Sequence, residues 1–248
     1  MKEYLKYPGE HIDDLLCDNL KIIQQDGAYK FAIDSVLLAN FIKAGKNDRI
    51  IDLGTGSGVI PILLCAKTCA KEIIGIEIDE AACSRAKRSI KMNGLEDRAK
   101  IICADLKKAP KIFGSESFTV VSANPPYMTI DEGKISPNQS IAIARHEIAA
   151  SLRDVVSTAS NLLTFGGKFY MVYRTVRLVD AICLMRSFRL EPKLMRFVHP
   201  KFSEGPNLFL VMAKKGASSG LKMLPPLVVY NADGSYTDEI IKIYFGSQ

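Results

Sequence analysis

The stretch Asp52-Leu53-Gly54-Thr55-Gly56-Ser57-Gly58 constrains this chain more than any other. It follows the apolar run Ile50-Ile51 and opens onto the apolar run Val59 to Cys65, which reads as strand, turn, helix. Glycines at alternate positions remove every second Cβ, so the backbone can turn sharply and lie close to a ligand that a side chain would exclude. A strand ending in such a turn is a ligand site of the doubly wound α/β type. The spacing Gly-x-Gly-x-Gly lacks the two-residue gap before the last glycine that dinucleotide folds use, and a carboxylate, Asp52, stands two residues ahead of the first glycine. Both details favour S-adenosyl-L-methionine over a dinucleotide. That ligand has no pyrophosphate to cradle, so Gly54, Thr55, Gly56 and Gly58 would hold its methionine end, with Asp52 near the cationic ammonium or sulfonium.

The rest of the core alternates. Strand-like runs fall at 49–53, 72–76, 100–103, 118–123 and 168–173, and helix-like runs at 59–69, 80–92, 147–163 and 177–188. Alternation of this kind means right-handed crossovers and a parallel sheet. Ligands of open parallel sheets bind beyond the carboxyl ends of the strands, where strand order reverses. That rule brings the glycine turn together with Glu77-Ile78-Asp79, Asp105 and Asn124-Pro125-Pro126-Tyr127. Glu77 lies nineteen residues past Gly58 and is placed to accept ribose hydroxyls, with Ile78 beside it. Asp79 is the better candidate to cap the following helix. Asp105 either accepts from the cofactor's adenine amine or caps its own loop.

Asn124-Pro125-Pro126-Tyr127 follows the buried-looking strand Phe118-Thr119-Val120-Val121-Ser122-Ala123. Together with the glycine turn it resembles the class I methyltransferases that act on an amino group conjugated to a π-system, either a base amine or a glutamine amide. The likeness extends to Leu20-Lys21-Ile22-Ile23-Gln24, Phe31 to Ala39, Ala144-Arg145-His146-Glu147 and Pro225 to Tyr230, which resemble the bacterial tRNA N6-adenine methyltransferases along nearly the whole chain. The resemblance implies a Rossmann-like, mostly parallel seven-stranded sheet with helices on both faces. It also implies a closing antiparallel hairpin, here Leu190–His199 and Leu208–Lys214, and Phe31 close to the cofactor.

The chemistry asked of the turn is modest. An exocyclic amine is a poor nucleophile because its lone pair is delocalised into the ring. If the Asn124 side-chain oxygen and the Pro125 carbonyl each accept one amine hydrogen, the nitrogen moves toward sp3 geometry and its lone pair points at the methyl group. Pro125 and Pro126 fix φ and hold these acceptors rigidly, and Tyr127 offers a face on which a flipped base stacks.

Before the core, Leu20 to Gln24 reads as a strand, Asp26-Gly27 as a hairpin turn with Tyr29 to Ile33 as partner, and Asp34-Ser35 as the cap of an apolar helix through Ile42. The expected organisation is an N-terminal extension over 1–48, the methyltransferase core over 49–216, and a linker with a small strand-helix tail over 217–248. Residues 128–144 read as a lid loop.

A formal charge of +6 mildly favours an anionic partner such as RNA. Candidate phosphate contacts are Lys134, Arg145, Arg174, Arg177, Lys193, Arg196 and Lys201, each competing with a merely solvated charge. The three histidines and six cysteines show no ligand spacing, so no metal is expected and the thiols are expected reduced and mostly buried. No run is long and apolar enough for a membrane span, and the start lacks a signal core; a cytoplasmic protein is expected, a monomer by default. By resemblance the substrate is the anticodon-loop adenosine 3′ of the anticodon in tRNA(Val). The alternatives are glutamine N5-methylation of release factors, an rRNA or DNA amino-methyltransferase, and a non-catalytic RNA-binding module.

Overall fold

The computed structural model describes residues 6–26, 33–125 and 150–245. Its centre is a sheet built from strands β3 (Arg49–Leu53), β4 (Glu72–Glu77), β5 (Ala99–Cys103), β6 (Phe118–Ala123), β7 (Leu163–Arg174), β8 (Leu190–Lys201) and β9 (Leu208–Lys215). The order across it is β8-β9-β7-β6-β3-β4-β5. β3 to β7 run parallel, and β9 inserts antiparallel between β7 and β8. The seven strands and closing hairpin match the expectation. Two short tail strands, β10 (Lys222–Met223) and β11 (Leu227–Tyr230), add to the outer edge of β8 in parallel and make the sheet nine-stranded.

Apolar runs in the central strands bury both faces, as a parallel sheet requires. Ile50, Ile73, Val120 and Tyr170 point into one core under helices α1 (Ile33–Phe41), α2 (Val59–Lys67) and α3 (Glu80–Met92). Their neighbours Ile51, Ile74, Val121 and Met171 point into the other, under α4 (Ala109–Phe113), α5 (Leu152–Leu162) and α6 (Leu178–Ser187).

The N-terminal segment departs from expectation. β2 (Lys21–Gln25) pairs with the upstream β1 (Glu10–Asp14), and Ile33, the last residue of the expected downstream partner, opens α1, while Gly27 of the expected turn and residues 29–32 of that partner lie outside the described residues. β1 is written Glu-His-Ile-Asp-Asp, too polar to read as a strand, because its side chains form ion pairs rather than a core face. Glu10 accepts both guanidinium nitrogens of Arg88 on α3 at 2.6 Å, and His11 sits 3.0 Å from Asp26. The ribbon docks on α3 through its backbone: Ile23 N–H donates to Ser89 Oγ at 2.9 Å, while Asn93 both accepts from Lys21 N–H and donates to Lys21 O. These contacts satisfy an edge strand that would otherwise present unpaired groups. The helix begins at Ile33, so Asp34 and Ser35 lie inside its first turn instead of capping it.

The tail packs back on the body. Leu227, Val229, Ile240 and Ile243 join the first core, the last two from helix α7 (Asp238–Phe245), which Thr237 caps. Arg196 and Lys193, two of the candidate phosphate contacts, are spent on this junction: Arg196 donates to Pro225 O and pairs with Glu239, and Lys193 donates to Ser218 O and Ser219 O. α2 stops at Lys67, short of Cys69, which is exposed. The cysteines are free, but only Cys17, Cys65 and Cys83 are buried. Cys69, Cys103 and Cys183 are exposed, because the apolar runs that carry them end or turn a face outward.

Candidate active site

Parallel register decides which residues meet. Leu53 pairs with Ile76 on one side and Ala123 on the other, and Glu77 pairs with Cys103. The glycine turn, Glu77, Asp105 and Asn124 therefore leave the same carboxyl edge of four adjacent strands. Gly54, Gly56 and Gly58 all adopt positive φ, which L side chains resist. A Cβ at Gly54 or Gly56 would meet nothing within 4 Å, so both open onto space, whereas one at Gly58 would lie 3.1 Å from Ala86 Cβ where α2 starts against α3. The first two glycines clear a floor; the third permits close helix packing.

Glu77 is buried at the end of β4. Its Oε2 accepts Gly56 N–H at 2.8 Å, and its Oε1 accepts the N–H groups of Ile78 and Asp79 at 2.8 and 2.9 Å. Gly54 and Thr55 donate their N–H groups to Ile76 O. The turn is thus pinned to the end of β4 before any ligand arrives. Ile78 is an exposed apolar side chain at the same spot. Asp79 caps α3, accepting from Ala82 N–H at 2.6 Å. Asp105 is mostly buried and does cap its loop, accepting from Lys107 N–H, with Lys107 Nζ 3.5 Å away.

Asp52 lies behind the turn with no solvent exposure. Ser122 Oγ donates to its Oδ1 at 2.7 Å from the adjacent β6. Among the described residues its Oδ2 has no partner of good hydrogen-bond geometry, and the buried Thr55 hydroxyl, although near enough to favour the charged carboxylate, makes no such bond either. Burial pushes the Asp52 carboxyl up to about 7; Ser122 and Thr55 pull the other way and the Glu77 charge adds to the rise. An orphaned buried carboxylate oxygen under an open glycine floor fits a cationic ligand bound above it.

Asn124 follows β6 and is half-buried. Its Nδ2 donates to Ser35 Oγ on α1 at 3.0 Å. Ser35, the partner of Asn124, reads in the sequence as a helix cap, and Ser122, the partner of Asp52, only as part of a buried strand. A polar residue inside an otherwise apolar strand is the signal that could have singled out Ser122. Pro125 is buried beside Asn124. Phe31, Pro126 and Tyr127 lie outside the described residues, as do Lys134, Arg145, His146 and the expected lid over 128–144. Among the described residues no cluster of His, Cys, Asp and Glu could hold a metal ion, and no helix is long and apolar enough to cross a membrane.

A family model described as the methyltransferase small domain matches residues 20–191. The chain belongs to this family. Its fold is that of the class I methyltransferases: this methyltransferase small domain protein superposes on a structure from Agrobacterium tumefaciens described as a predicted O-methyltransferase, with a TM-score of 0.68, 25% identity, and coverage of 86% of this chain and 96% of that one. M. jannaschii TYW2 in complex with AdoMet matches with a TM-score of 0.57 at 14% identity, covering 84% of this chain and 87% of that one, a likeness of fold. Among curated relatives, a tRNA1(Val) (adenine(37)-N6)-methyltransferase of Aeromonas salmonicida is 24% identical over 217 residues, 87% of this chain and 89% of the relative. One of the same name from Bacteroides fragilis is 30% identical over 145 residues, 58% of this chain and 60% of the relative.

Proposed function

We propose that this methyltransferase transfers a methyl group from S-adenosyl-L-methionine to N6 of an adenosine in tRNA, in the cytoplasm, and that its target is the anticodon-loop adenosine 3′ of the anticodon in tRNA(Val). The names of the curated relatives support the substrate. The observation that carries the reaction class is the Asn124 amide at the carboxyl end of β6, one strand from the glycine turn, with its nitrogen already held by Ser35.

The cofactor supplies an electrophilic methyl on a sulfonium. The open floor at Gly54 and Gly56 takes its methionine end, and Asp52, fully buried, acts as a charge beneath that floor rather than as a direct contact. Glu77 sets the shape of the turn through Gly56 N–H and has acceptor capacity left for a ribose hydroxyl, since each carboxylate oxygen carries two lone pairs. Ile78 lies against the adenine, Asp105 reaches its amine, and Phe31 closes the pocket. At β6, Asn124 Oδ1 and the Pro125 carbonyl accept the two hydrogens of the target amine, which concentrates its lone pair toward the methyl. No side chain needs to act as a strong base, because the nitrogen becomes acidic only once it carries the methyl and then loses its extra proton to water. Pro126 keeps the turn rigid, and Tyr127 stacks on the extruded base, as enzymes that work on a base within a polynucleotide require.

Incubation with labelled S-adenosylmethionine and separate pools of tRNA, rRNA, DNA and release factor tests this reading. Label is expected in tRNA; label confined to release factor would replace it with glutamine methylation.

A further inference from the structure

Three of the four most exposed large apolar side chains among the described residues lie at one place. Phe202 is 90% exposed, Val176 78% and Val179 73%; the fourth, Phe165 at 76%, sits at the opposite end of β7. Phe202 is at the tip of the β8–β9 hairpin, and that tip is tied to the turn after β7: Thr175 N–H donates to Asn207 O at 3.1 Å, and Thr175 Oγ1 donates to Pro206 O at 2.7 Å. β8 runs parallel to β7, so this cluster lies toward the same carboxyl edge as Asn124, three strand spacings or ~14 Å across the sheet, with Phe202 four residues past Val198, the last β8 residue paired to β9, and so ~13 Å further out along the strand direction. Tyr230 ends β11 in register with Lys201, next to Phe202, and stacks on Tyr236 with ring centroids 5.3 Å apart.

The edge is divided by strand order. Asp52, Glu77 and Asp105 occupy the ends of β3, β4 and β5, so a substrate larger than one base extends from Asn124 toward β7, β9 and β8. There an exposed phenyl ring serves no packing purpose. Among the described residues, the neighbouring segments carry the cations Arg174, Arg177 and Lys201 and the anions Glu204 and Asp180, with Asp180 paired to Arg177 Nε at 2.8 Å. Exposed apolar rings beside cationic side chains fit unstacked bases with their phosphates, because every base has a face to stack and every linkage a negative charge.

We propose that Phe202, flanked by Val176, Val179 and Tyr230, is the surface on which the nucleotides beside the target adenosine lie, with Phe202 stacked on one of those bases. The proposal rests on the RNA reading above and adds the site of contact.

The full-length chain and its Phe202→Ala, Phe202→Tyr and Phe202→Leu variants are compared for methyl transfer to transcribed tRNA, for tRNA binding by fluorescence anisotropy, for S-adenosylmethionine affinity and for melting temperature. Phe202→Ala is expected to weaken tRNA binding and raise its KM about tenfold. Cofactor affinity and melting temperature stay unchanged, since the ring is exposed; Phe202→Tyr restores binding and Phe202→Leu does not. Phe165→Ala, at the far edge, is expected to leave tRNA KM unaltered. Binding within twofold of wild type in Phe202→Ala, or full rescue by Leu, overturns the proposal even where wild type methylates tRNA. A wild type that methylates no RNA, yet binds it through Phe202, would overturn the substrate reading and leave this surface standing.

Discussion

Asn124 stands out in the sequence because four consecutive residue types, amide, two prolines and an aromatic, would under the proposed function serve one purpose that a simple proline turn does not need. Ser35 was not, since its contact with Asn124 joins positions 89 apart in sequence, and no local pattern reports such a pair. Asp52 was legible as a charge but not as a fully buried one; that depends on Ser122 arriving from β6. Burial has a measurable consequence. The folded Asp52 carboxyl titrates at about 7 against an ordinary 3.8, so between those values the folded chain holds a proton that the unfolded chain has lost. Stability from this group is therefore present at low pH and falls as pH rises through the window. Asp52→Asn is expected to remove that part of the decline in the thermal midpoint between about pH 4 and 7, measured without cofactor; an unchanged slope would contradict the burial argument.

At the scale of elements, periodicity found most helices and strands of the core, and α3 at its bounds (Glu80–Met92), because long apolar repeats and an Asp cap agree there; it did not read α4, and α5 opens at Leu152 rather than 147 and β7 at Leu163 rather than 168. It failed at β1, whose polar residues face Arg88 and Asp26, and at the start of α1, where capping residue types occur inside the first turn. The glycine turn depends on a neighbour that the motif does not mention. Gly75, in mid-β4, leaves room for Thr55: a Cβ there would lie 2.7 Å from both Thr55 Cγ2 and Ile101 Cδ1. Thr55 is β-branched and buried, so it cannot swing aside cheaply. Gly75→Ala should displace the turn, destabilise the fold by about 1–3 kcal/mol and weaken S-adenosylmethionine binding about tenfold or more. Chemical denaturation and calorimetry read the two effects separately, and unaltered cofactor affinity would show that the turn is not positioned from below.

Across the described molecule, the N-terminal ribbon is held to α3 and the C-terminal tail to the sheet by a few specific contacts. The N-terminal ribbon rests on the Glu10–Arg88 pair, with side-chain exposures of 3% and 13%, and on the Tyr7 ring 4.0 Å from the Arg88 guanidinium carbon. Hydrogen bonding to Arg88 is the main influence holding the Glu10 carboxyl below its usual range; its stabilisation is present above the ordinary carboxylate pKa and is lost as pH falls. Arg88→Ala leaves that carboxylate buried without its partner and is expected to cost about 3–5 kcal/mol, measured by urea unfolding at pH 7 and shrinking below pH 4. Such ties between residues 78 apart are invisible to sequence pattern, whereas the α/β alternation that builds the sheet between them is not. What the assembled molecule does with its carboxyl edge is tested most directly by single-turnover methyl transfer to tRNA with Asn124→Ala saturated with cofactor, the product digested to nucleosides. Wild type should yield N6-methyladenosine, and the variant should bind S-adenosylmethionine normally while forming that nucleoside about a hundredfold more slowly. Equal rates in the two proteins, or a loss explained wholly by cofactor affinity, would contradict the role of the Asn124 amide.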